Sequence, residues 1–119
     1  MPTPIQKETL QGLRRKAWNV LIKELDVIYI ISIKNCSAKA KYNDTSITVW
    51  VDPMRVRIDH AVVHEILHKL LDGYFRQFAK YSLFEFWITS LEGEFFKSLT
   101  HKEIAKWHKA IRAKTKYTN

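Results

Sequence analysis

The segment Val27-Ile28-Tyr29-Ile30-Ile31-Ser32-Ile33 is the longest apolar run in the chain, and it constrains the fold more than any other stretch. It is β-branched and aromatic and too short for a buried helix, so it reads as a strand covered on both faces. It is also far shorter than the roughly 20 apolar residues a bilayer span needs, so no membrane-crossing segment is expected. Residues 38–42 and the run Ser46-Ile47-Thr48-Val49-Trp50-Val51 flank Asn43-Asp44, whose side chains favour a tight turn, which predicts a hairpin. In its second arm Ile47, Val49 and Val51 share one face and Thr48 and Trp50 the other. That strand is expected to pack on one side only and to lie at a sheet edge.

Helical signals surround these strands. Thr3-Pro4-Ile5-Gln6 has the form of a capping box, and Leu10, Leu13, Ala17, Leu21 and Leu25 then recur at helical spacing, predicting a helix over residues 4–25. After Asp52-Pro53 the apolar set Val56, Val63, Ile66, Leu67, Leu70 and Leu71 has helical period, with Asp52 or Asp59 as N-cap and Gly73 as C-terminal cap. Ser82-Leu83-Phe84-Glu85 and Thr100-His101-Lys102-Glu103 are two further capping boxes, opening helices over residues 83–98 and 101–113. The expected class is α+β: one helix, three strands, three helices.

At 119 residues the chain is expected to be a single domain, 1–119, with its polar, basic end at 114–119 flexible. One cysteine, Cys36, cannot close an intramolecular disulfide, and Met1 to Glu8 lack an apolar leader segment, so a reducing, cytoplasmic setting is expected.

The chemistry lies in His64-Glu65-Ile66-Leu67-His68, an HExxH inside the helix assigned on apolar spacing. At 100° per residue, positions 64 and 68 sit about 40° apart and one turn along, so both imidazoles can reach one ion. Glu65 projects from the neighbouring flank, outside the ligand set yet near a water that the metal activates, from which it can take a proton. Catalytic zinc takes three protein ligands, so a third is sought downstream. Leu71 and Tyr74 stand where a longer HExxHxxGxxH would need Gly and His. Asp72 reads as a surface residue at the helix end, and Glu85 is assigned to its capping box. Glu92 falls on the border of the apolar face formed by Phe84, Ile88, Leu91, Phe95 and Leu99, where a carboxylate is costly unless paired or metal-bound. Glu92 is therefore the expected third ligand, with Glu94 or His101 as alternatives. His60, one turn before His64, reads as an exposed first-turn residue.

HExxH with Glu92 on a following helix resembles the gluzincins, the thermolysin-like zinc peptidases whose third ligand is a glutamate on the next helix. The size and element order look like the minigluzincins, minimal soluble peptidase scaffolds, and this likeness covers nearly the whole chain. It implies a minimal zincin-like domain, a peptide or protein substrate, Zn2+ as cofactor, and a substrate backbone aligned on the edge strand Ser46 to Val51. It further implies an oxyanion-stabilising tyrosine or histidine, for which Tyr81 and His101 are the candidates, and latency imposed by a C-terminal segment. Many gluzincins carry Asp four residues after the zinc glutamate; Phe96 stands there, so another group has to orient the ligands.

Two rival readings remain. Twenty Lys and Arg against twelve Asp and Glu give a net charge of +8, and Lys102, Lys106, Lys109, Arg112, Lys114 and Lys116 make the C-terminal region strongly basic. That pattern would suit a nucleic-acid-binding helix, although Trp107 and Ile111 read as core anchors on it. The other rival is a zinc-binding scaffold without turnover, against which Glu65 argues, because a purely structural site has no use for a carboxylate beside its ligands.

Overall fold

Leu13, Ala17, Leu21 and Leu25 are all buried, as their helical spacing predicts, but the helix carrying them is not uniform. In this computed structural model, which describes residues 7–34, 39–52 and 58–118, α1 runs Lys7–Asn19 and continues as a π-helical turn over Val20–Glu24. The capping box at Thr3, together with Cys36 and Val56, lies outside the described residues. The remaining elements are β1 (Val27–Ser32), β2 (Lys39–Asn43), β3 (Ser46–Val51), α2 (Ile58–Leu71), a 3-10 turn (Asp72–Gln77), α3 (Tyr81–Lys97), α4 (His101–Lys114) and β4 (Thr115–Thr118).

The protein is thus mixed α+β, with four α-helices and one four-stranded sheet ordered β2-β3-β1-β4. β2 and β3 form the expected antiparallel hairpin, turning at Asp44 with φ 58°, a left-handed conformation that Asp tolerates better than most residues. β3 runs parallel to β1 with Val27 opposite Ser46, and so lies inside the sheet. The edge expected for β3 belongs instead to β2, because the chain after β1 passes beyond β3 before turning back. Alternation reports which faces are covered, not which strands are neighbours. The chain end is also ordered: Thr115–Thr118 pairs parallel with β1 and forms the opposite edge.

One face of the sheet is fully buried. Ile28, Ile30, Ile47, Val49 and Val51 meet Val62, Val63, Ile66 and Leu67 of α2, Phe84, Ile88 and Phe95 of α3, and Trp107 and Ile111 of α4 in one core. The other face is only half covered: Val27, Tyr29 and Ile31 alternate with fully buried neighbours along β1. The two-sided cover expected of this strand is therefore one-sided, with the apolar character of the second face left partly in solvent. Trp107 packs edge-on against both Trp18 and Phe95, locking α4 to α1 and α3.

Helix ends differ from expectation at two places. α4 has its capping box, Thr100 accepting from the Glu103 amide while the Glu103 carboxylate accepts from the Thr100 amide. α3 has none: it begins at Tyr81 with Lys80 as N-cap, which frees Glu85 to reach another helix. Asp59 sits in the first turn of α2, and α2 runs directly into the 3-10 turn, in which Gly73 has no positive φ. The Lys114 ammonium donates to the carbonyls of Leu21, Ile22 and Leu25, closing the end of the first helical segment and removing one cation from the expected basic patch. Among the described residues, no helix is long and apolar enough to cross a membrane.

Candidate metal centre

α2 and α3, joined through the 3-10 turn at Asp72–Gln77, pack side by side, with His68 near the end of α2 meeting Glu85 near the start of α3. His60, His64 and His68 rise along one face of α2 at four-residue intervals, and Glu85 and Glu92 lie two turns apart on α3. The two rows interlock. His64 donates from Nε2 to Glu85 Oε1 at 2.6 Å and from Nδ1 to Glu92 Oε1 at 2.9 Å. His68 donates from Nε2 to the other oxygen of Glu85 at 2.7 Å, and its Nδ1 faces Asp72 Oδ1 at 3.3 Å. His60 donates from Nδ1 to Glu92 Oε2 at 2.9 Å, and its ring stacks on Phe96 with centroids 3.9 Å apart.

The two motif imidazoles thus turn a common side toward one carboxylate, and that carboxylate is Glu85. Glu92 stands behind His64, on its Nδ1 side, bridging to His60. Phe96 supports the ring of His60, and Glu92 bridges His60 and His64. Glu94 is exposed on α3, and His101 is exposed at the first position of α4, outside the residues lining the cleft. His60 is no bystander in solvent but a partner of Glu92.

Glu65 stands beside these groups; His64, Glu65 and His68 can each offer a ligand atom within 4.8 Å of the others. Burial raises the proton affinity of the Glu65 carboxyl above the ordinary carboxylate range, with the charges of His68 and His64 pulling the other way. For His64, burial lowers the pKa, but its hydrogen bonds to Glu92 and Glu85 and the charges of both carboxylates outweigh it, so the net shift is upward. Burial raises Glu85, and the charges of His64 and His68 overcome this to hold it below its usual value. Tyr81 donates its hydroxyl to Glu85 Oε2 at 3.3 Å and lies nearly parallel to the His68 ring; burial and the neighbouring Glu85 charge keep its proton on.

Glu65, His68 and Tyr81 line a cleft of about 880 Å3, and His64 and Glu85 stand behind its lining residues. One wall is the β2 edge with Ala40, Lys41 and Tyr42, the floor carries Glu65 and His68, and the far wall is aromatic, built from Phe75, Tyr81 and Phe84. Lys69 ties α2 to β2 and to the end of the first helical segment, donating to the Tyr42 hydroxyl at 3.2 Å and to Glu24 Oε1 at 2.9 Å. The β4 end of the chain sits at the opposite edge of the sheet from this cleft, so residues 115–118 do not cover it.

Sequence reasoning missed Glu85 because Ser82-Leu83-Phe84-Glu85 has the form of a cap. A signal was present nonetheless: if the two consecutive helices pack antiparallel, His68 pairs with the start of α3 and His60 with a position further along it. Glu85 and Glu92, seven residues apart, are then the matching positions. No family model, curated protein or solved structure matches this chain.

Proposed function

We propose that this chain is a zinc-dependent peptidase of minimal zincin-like architecture, with His64, His68 and Glu85 as ligands and Glu65 as general base. One observation carries the reading: both motif imidazoles converge through Nε2 on the Glu85 carboxylate at 2.6 and 2.7 Å, while their Nδ1 atoms face other carboxylates. Metal-bound imidazoles are held in this way, the remote N–H on a carboxylate and the other nitrogen facing inward. Two histidines and one glutamate are a donor set of catalytic zinc and leave a fourth position for water or substrate. Zinc bound by these residues would act as a Lewis acid on a substrate carbonyl and lower the pKa of water.

The rest follows from the chain's own groups. Glu65, its proton affinity raised by burial, takes the proton from the attacking water and returns it to the departing amine as the C–N bond breaks. Glu92 fixes the ring of His64, the role that an Asp fills in many gluzincins, and Asp72 stands at the same place for His68. Tyr81, protonated, offers an O–H to the oxyanion that develops on the carbonyl. The strand available to an extended peptide beside the motif helix is β2, which takes over the place expected of β3.

Metal analysis of purified variants tests the assignment. The wild type is expected to hold one zinc per chain, His68→Ala and Glu85→Ala to lose it, and Glu65→Gln to keep it while losing hydrolysis of a denatured protein substrate. Zinc retained at full occupancy in Glu85→Ala would remove Glu85 from the ligand set.

A further inference from the structure

The sheet face turned away from the helices has a composition of its own. Strand register places Lys39, Trp50 and Ile31 in one row across β2, β3 and β1. The next row carries Thr48, Tyr29 and Lys116 across β3, β1 and β4. Trp50 and Tyr29 are thus diagonal neighbours on the two central strands, both half-buried. Lysines stand on both edge strands, with Lys41 sharing the β2 rim, and the two rims are about 14 Å apart, three strand spacings. Among the described residues, no Asp or Glu lies on this face. It is an apolar, aromatic centre between two cationic borders, in a chain of net charge +8.

We infer that this face binds single-stranded nucleic acid across the strands, bases stacking on Trp50 and Tyr29 and phosphates resting on the lysine rims. Flat rings on a sheet flanked by cations are what sequence-tolerant recognition of single strands requires, since every base has a π-face and every linkage a charge. An acidic peptide would satisfy the lysines but leave both rings without a flat partner. The binding surface is distinct from the basic helix α4, where Lys114 is already committed to backbone carbonyls. It shares Lys41 with the wall of the cleft described above but needs no metal, and it stands or falls without one.

Binding of a fluorescent oligothymidylate to the full chain, followed by anisotropy over a salt series, tests this. Three lysine–phosphate contacts give a slope of log K against log salt of about −2. Lys39→Ala/Lys116→Ala should cut that slope to about −0.7, leaving one such contact. Trp50→Ala should weaken binding about tenfold, the loss of one stacked base, while Trp50→Phe restores it. Circular dichroism melts establish that each variant is folded. The inference is overturned by no binding at low salt, by binding that these variants leave unchanged but Lys102→Ala/Lys106→Ala abolishes, or by a polyglutamate peptide competing as well as the oligonucleotide does.

Discussion

Glu85 and Glu92 differ in which nitrogen of His64 they meet, and their proposed roles rest on that difference of one ring atom. The carboxylate on Nε2, shared with His68, is the proposed ligand; the one on Nδ1, shared with His60, is proposed to orient the ring. Glu92→Gln is accordingly expected to weaken zinc binding about 10- to 100-fold without abolishing it, measured by competition with a chromophoric chelator. Unchanged affinity would show that His64 needs no support from α3. Proton linkage makes a second prediction at this scale. His64 and Glu65 both have raised folded-state values, so the stability each contributes is full below 6.5 and 4.5 respectively and is lost as pH rises through the folded value. Glu85 is lowered, so its contribution is present above 4.5 and lost as pH falls through the folded value. Zinc-free protein should therefore melt at lower temperature on moving from mildly acidic to mildly alkaline pH. Zinc-loaded protein should do the opposite, because the metal requires deprotonated imidazoles. Parallel behaviour of the two forms would contradict the assignment.

Elements were legible where their signal is local. The α2 helix, its motif, the hairpin and the α4 capping box all follow from residues a few positions apart, and each stands where the spacing puts it. What depends on distant partners was not legible. The position of β3 inside the sheet requires knowing that β1 pairs with it, and the use of Glu85 requires knowing that α3 lies along α2. Thr115-Lys116-Tyr117-Thr118 carries β-branched and aromatic residues that suit a strand, but its charge and terminal place outweighed them in the reading. Lys114 belongs to the same group: a lysine near a chain end reads as solvated, whereas here its ammonium serves three carbonyls of a distant helix end. Replacing it by Met, which keeps much of the stem, should cost about 2 kcal/mol in urea unfolding, the value of a charged hydrogen-bonding group lost from partly buried acceptors. A change below a few tenths would mean that water serves those carbonyls equally well.

At the scale of the molecule, the sheet separates the two ends of the problem. The cleft opens at the β2 edge, and the chain terminates as β4 on the other. Deleting residues 115–119 should therefore lower thermal stability by stripping β1 of a neighbour, and should leave peptide hydrolysis by the remaining folded fraction unchanged. A gain in hydrolysis on truncation would restore the latency that the minigluzincin likeness implies. The helices all join one face, which places the His64-His68-Glu85 cluster and Trp50 on opposite sides of the sheet. The central claim, a metal held between α2 and α3, is met most directly by anomalous diffraction at the zinc edge from crystals of the zinc-loaded protein. The account predicts one ion bonded to Nε2 of His64, Nε2 of His68 and the carboxylate of Glu85, at about 2.0–2.2 Å. An ion bonded instead by Glu92, or seated away from the two imidazoles, would contradict it.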